Sequence, residues 1–261
     1  MIKAIVRSAR RSAAAAGLIL ATAAIGLHLL GGAGPALATT DEEATALHLA
    51  DMLRAARAVI SAKQDLINDP DVGDRGLTGE VVLAETIARF KASTGMDPTA
   101  VDPGSRLGQL FGAQMAAITE VMDEAQGSIN QPGMGFKGFV PAIFARLVNE
   151  RFEQKVGDRA MIKVTAPAVL VRNRMALPDA WESEHIESQL LAPDWPEGQV
   201  FATMAQRDGR EAFRMLVPEY YTPGCLSCHG EPKGEIDVTG YPKEGGKVGD
   251  LGGVISITLF R

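Results

Sequence analysis

One five-residue stretch constrains this chain more than any other: Cys225-Leu226-Ser227-Cys228-His229. It is a C-x-x-C-H pentad, the pattern to which a c-type haem is attached. Two cysteines separated by two residues can each form a thioether with one of the porphyrin's two vinyl groups. His229 then supplies an imidazole as the proximal iron ligand. The chain holds no other cysteine, so no thiol is left for a disulfide framework or a second metal site. Half of a zinc site is one alternative, but tetrahedral zinc wants four ligands, and no second C-x-x-C or H-x3-H accompanies this one. A thioredoxin-like pair is another, and it belongs at a helix start after a strand in a βαβ context. Here Pro223-Gly224 precede the pentad and Gly230-Glu231-Pro232 follow it, which reads as loop. Covalent haem c is the expected cofactor.

Attachment of this kind takes place outside the cytoplasm, so an export signal is expected at the N-terminus. Lys3, Arg7, Arg10 and Arg11 form a positive segment, residues 13–30 are an apolar run, and Ala36-Leu37-Ala38 is an A-x-A cleavage site. Residues 1–38 therefore read as a cleaved signal peptide, with an uncleaved anchor helix as the alternative. The expected location is the periplasm or another exported compartment. Removal of the signal leaves about 220 residues, enough for one large domain or two small ones. A net charge of −6 argues against a nucleic-acid partner.

Residues 39–157 read as helical. Leu49, Met52, Leu53, Ala56, Val59, Ile60, Leu66 and Ile67 recur at three and four residues and predict a helix over about 44–68. Thr78 and Gly95 bracket a second helix. A third opens at 102–105, carries Leu107, Phe111, Met115, Ile118 and Met122 on one stripe, and is expected to close at Gly127. A fourth runs from Pro141 to Gly157. In residues 158–261 the period changes. Residues 161–165 read as a strand, Pro178-Asp179 starts a short helix, and residues 199–206 and 211–217 form a hairpin about Asp208-Gly209. A glycine-rich connection then leads to a strand at 254–260. Antiparallel strands with helices set to one side indicate an α+β fold.

Several spaced segments, taken in order, resemble the PAS-like mono-haem c family, which recurs in bacterial sensor proteins. They are Lys137-Gly138-Phe139-Val140-Pro141-Ala142-Ile143-Phe144-Ala145-Arg146, Arg172-Asn173, Pro178-Asp179-Ala180-Trp181-Glu182, the pentad with Gly230-Glu231-Pro232, and Gly249-Asp250-Leu251-Gly252-Gly253. The resemblance implies a five-stranded antiparallel PAS-like sheet preceded by an N-terminal helical bundle. It also implies one covalent haem with His229 proximal, and redox or gas sensing. A studied type of that family takes a helix cysteine as the second axial ligand. This chain has no cysteine outside the pentad, so the resemblance does not assign the distal ligand here.

Met122 ranks first as distal ligand, followed by Met115, His185 and His48; a core role for the methionines and an open distal site are the competing readings. Arg172, which lies in the resembling segment, is expected to pair with a haem propionate, with an exposed basic turn as the competing reading. No nucleophile elbow, Walker loop, H-E-x-x-H or dinucleotide fingerprint is present, so a haem enzyme such as a peroxidase ranks behind a sensor and a one-electron carrier. The expected partners are a redox protein or a separate signalling protein, and a diatomic gas at the iron.

Overall fold

The computed structural model describes residues 40–261; the expected leader at 1–38 lies outside them. The helical half comes first. Helix α1 (Thr40–Ala62) and the short α2 (Gln64–Asn68) occupy the stretch expected as one helix, with a break at Lys63. Helix α3 (Gly79–Thr94) begins where the Thr78 hydroxyl accepts the N–H of Val81 at 3.3 Å, and stops at Gly95 with φ 74°, a left-handed position that glycine takes without a Cβ penalty. Helix α4 (Arg106–Ile129) is capped by the Ser105 hydroxyl, which accepts from Gly108 N–H at 3.0 Å. Gly127 does not close it. An interior glycine costs only about 1 kcal/mol relative to alanine, and the buried Ile129 holds the last turn against the core. Helix α5 (Pro141–Val156) starts on its proline and ends at Gly157.

Four strands follow: β1 (Ala160–Thr165), β2 (Phe201–Arg207), β3 (Arg210–Tyr220) and β4 (Leu251–Phe260). They form one antiparallel sheet in the order β1-β4-β3-β2. The β2–β3 turn puts Asp208 at φ 52° and Gly209 at φ 77°, the left-handed pair that a two-residue hairpin requires. The architecture is α+β, as the sequence indicates. The five strands implied by resemblance are four among the described residues. Between β1 and the short helix α6 (Ala180–His185) the chain makes two 3-10 turns. Pro167 and Pro178 bound that stretch, and each lacks the N–H that a strand ladder needs.

Side chains alternate across the sheet. Phe213, Met215, Val217, Ile255, Ile257 and Leu259 face the helices and share one core with α1, α3, α4 and α5. Phe144 and Phe152 of α5 are fully buried there, each stabilising the fold by roughly 1.5–3 kcal/mol. On the opposite face Leu216 and Val254 are covered by Ile186 and Leu190, with Trp181, Trp195 and Phe201 packed around them. That face also buries Arg214, which donates to Asp179 at 2.6 Å and lies 4.1 Å from the Trp181 ring centre.

The register fixes where the pentad falls. Thr165 pairs with Val254, and Tyr220 with Leu251, so β1 ends, β3 ends and β4 begins at the same edge of the sheet. Two arginines of α1 anchor that edge: Arg54 Nε and Arg57 Nη1 each donate to the Glu219 carboxylate at 2.6 Å. The connection that bears the pentad leaves from this braced corner.

Candidate functional site

Residues 221–250 cross the end of the sheet between β3 and β4. Tyr221 N–H donates to the Asp250 carbonyl and Gly249 N–H to the Tyr221 carbonyl, both at 2.9 Å, which closes the base of the excursion. Further out the two limbs are tied by Gly246 N–H to the His229 carbonyl at 2.8 Å and Gly234 N–H to the Lys243 carbonyl at 2.9 Å. Within this frame Pro223–Cys225 makes a 3-10 turn, and α7 (Leu226–His229) adds one turn of helix. A single helical turn places Cys225, Cys228 and His229 on neighbouring positions. Both thiols are free and partly exposed. Cys225 Sγ lies 3.3 Å from the Thr222 hydroxyl, and the Ser227 hydroxyl reaches Cys228 Sγ at 3.8 Å.

The imidazole of His229 is held from two sides. Its Nδ1 is 2.9 Å from Glu244 Oε2, and its ring stacks on Tyr221 with centroids 5.1 Å apart and planes 21° from parallel. Burial works against ionisation of Glu244, but hydrogen bonds from Arg172 and His229 outweigh it and hold the carboxyl below its ordinary value. An ionised Glu244 can only accept, so Nδ1 carries a proton, and in the neutral imidazole the lone pair then lies on Nε2. That is the nitrogen a proximal ligand needs.

Arg172 ties the site together. Its Nε and Nη2 donate to the two Glu244 oxygens at 2.8 and 3.2 Å, its Nη1 to Asp237 Oδ2 at 2.6 Å, and its Nη2 to the Cys228 carbonyl at 2.8 Å. The Asp237 side chain is fully buried and accepts from Thr239 N–H and hydroxyl at 2.7 and 2.6 Å. Burial raises the Asp237 carboxyl, yet bonds from Thr239 and Arg172 carry it far below the usual carboxylate range.

Tyr221 sits in a socket made by two glycines. A Cβ on Gly252 would stand 2.1 Å from the Tyr221 ring, and one on Gly246 would stand 2.5 Å from it. With His229 stacked on the ring, it has nowhere to retreat. Its hydroxyl is buried without a partner, and burial together with the nearby Glu244 charge pushes its pKa up to about 12. Gly252→Ala is therefore expected to cost roughly 1–3 kcal/mol as overpacking. The check is a lower urea midpoint with an unchanged slope.

Of the residues singled out from sequence, the structure brings Cys225, Cys228, His229 and Arg172 together. The distal candidates lie in other settings. Met122 is fully buried on α4 in the core shared by the helices and the sheet, and Met115 packs against the same core. His48 lies between Phe90 and Phe111, with ring centres 6.1 and 6.3 Å away. His185 stacks on Phe201 at 4.3 Å and meets Trp181 edge-on, and burial lowers its pKa. Sequence reasoning missed Glu244, Asp237 and Tyr221. Asp237 and Glu244 are two of five carboxylates in the glycine-rich stretch 230–250, and nothing local in the sequence sets them apart from Glu231, Glu235 and Asp250.

The donor set suits a covalently held macrocycle: two open thiols and one oriented imidazole on a single turn. The surroundings suit it as well. Val169 and Met175 on one side, and Ile236, Val238, Tyr241 and Val248 on the other, are large apolar side chains left open to solvent. They lie on the two segments that Arg172 joins beside the pentad. Among the described residues, no three His, Cys, Asp or Glu side chains converge as a ready cage for a metal ion.

A family model described as Tll0287-like matches residues 36–259. No curated protein matches the chain, and no solved structure does.

Proposed function

The chain belongs to the Tll0287-like family, and from that premise and the geometry of the pentad we propose that it is an exported protein carrying one covalent haem c, acting in redox or gas sensing. The carrying observation is the single turn on which Cys225 and Cys228 stay free while His229 has its Nδ1 engaged by Glu244 at 2.9 Å. Cys225 and Cys228 would hold the porphyrin through thioethers, and His229 Nε2 would bind the iron. When bound, that group supplies one-electron chemistry and a place for a diatomic ligand. Glu244 fixes the imidazole's tautomer, Tyr221 fixes its plane, and Arg172 ties Glu244 to the Cys228 carbonyl. The donors of Arg172 are spent within the protein, so we read it as a brace behind His229 rather than a partner for a propionate.

The antiparallel sheet, with its first strand beside its last and one face on helices, is the ground for reading the fold as PAS-like. In the sensing reading, a change at His229 reaches segment 168–177 through Glu244 and Arg172, and from there a separate signalling protein. The second reading is a one-electron carrier. Its support is the partial exposure of both thiols, which would let a haem edge meet a redox partner. None of the described helices is long and apolar enough to cross a membrane.

The full chain should be produced in a host competent in cytochrome maturation. The expected product is red, with a mass increased by one haem that survives denaturation. A ferrous spectrum that changes on adding CO supports sensing, and one that does not change supports the carrier. Colourless, unmodified protein rejects both.

A further inference from the structure

We infer that Glu244 is a positioning residue which keeps the His229 imidazole electron-rich and thereby biases the site toward oxidised iron. This rests on the haem reading above. A histidine Nδ1–H given to a carboxylate makes a charge-assisted bond, roughly twice as strong as one to a neutral carbonyl. The more fully the Nδ1 proton is shared, the more basic Nε2 becomes, and a more basic ligand favours the higher oxidation state of the metal.

Three features make this a built arrangement rather than a passing surface contact. Glu244 is mostly buried, with a side-chain exposure of 16%, and Arg172 grips both of its oxygens, so it cannot swing away from the ring. Arg172 would by itself cancel the charge offered to His229. Asp237, fully buried on the far side of the guanidinium, restores it: two carboxylates and one guanidinium leave one negative charge facing the imidazole. Finally, Arg172 Nη2 also holds the Cys228 carbonyl, which ties this device to the second attachment cysteine.

The test compares wild type with Glu244→Gln, an isosteric change that keeps a hydrogen bond and removes the charge, and with Glu244→Asp as the conservative variant. In holoprotein of equal haem content, Glu244→Gln should raise the midpoint potential. The reduced-to-oxidised ratio at a fixed ambient potential should grow about tenfold, which is ~59 mV for a one-electron couple, and Glu244→Asp should recover part of the shift. A second measurement needs no haem. In the unloaded chain labelled with 15N-histidine, His229 should be protonated at Nδ1, and Glu244→Gln should weaken that signature. An unchanged midpoint in Glu244→Gln, or a His229 protonated at Nε2 in the unloaded wild type, overturns the inference. A wild-type chain that never acquires haem rejects the site reading and the potential bias with it. The nitrogen spectra then still report whether Glu244 orients the ring.

Discussion

Replacing Cys225 and Cys228 together by alanine is expected to abolish covalent pigment altogether: no added mass after denaturation and no visible absorption, from a chain that still folds. Both thiols are partly exposed and lie outside the hydrophobic core, so their loss removes chemistry and little packing; surface substitutions of this kind usually fall within about 0.5 kcal/mol of neutral. Single replacements should each leave one thioether, with a visible spectrum still present at lower yield. His229→Ala is expected to behave differently. It keeps both sulfur attachments while removing the nitrogen on the metal, so mass is gained and the spectrum is altered. If the double variant stays pigmented and carries the added mass, the pentad is not the attachment point.

Arg172→Ala should have the largest effect on stability among site substitutions. Its loss leaves Asp237 buried without its cation and releases Glu244 and the Cys228 carbonyl at once. Breaking one member of a buried ion pair typically costs about 3–5 kcal/mol, and the partial exposure of Arg172 places the expectation near ~3 kcal/mol. The damage should be local. Amide exchange across residues 228–246 should quicken greatly, while α3 and α4, which supply none of the hydrogen-bond partners of Arg172, keep their protection. Arg172→Lys should fail to restore it, because an ammonium cannot span two carboxylates and a carbonyl in one plane. Unchanged exchange in the 228–246 segment would remove Arg172 from the centre of the site.

Much of this was readable in advance where the signal is local. The pentad is contiguous, the Asp208-Gly209 turn announces its own backbone, and the caps at Thr78 and Ser105 sit immediately before the stripes they start. The sequence also grouped Arg172 with the pentad through a resembling segment, although its partners were out of reach: Glu244 lies 72 residues away and Asp237 lies 65. No periodicity encodes such pairs, since each is set by how two irregular segments fold over the end of a sheet. Met122 marks the other limit: a helical stripe says only that a side chain is inside, and this one is inside the shared core of helices and sheet. Gly127 misled for a related reason: its stop signal is weak, and Ile129 beyond it had a core to join.

The position of β4 has a consequence for assembly. It lies between β1 and β3, yet it follows the pentad in chain order. A chain delivered from its N-terminus onward, whether by a ribosome or through a translocation pore, presents both cysteines before the middle of its sheet can be filled. Until then the 221–250 segment has no second post to close upon, and its thiols stand in an unfinished, accessible loop. On the haem reading, enzymatic ligation of the prosthetic group would be easiest in that interval, before insertion of the final strand seals the workpiece.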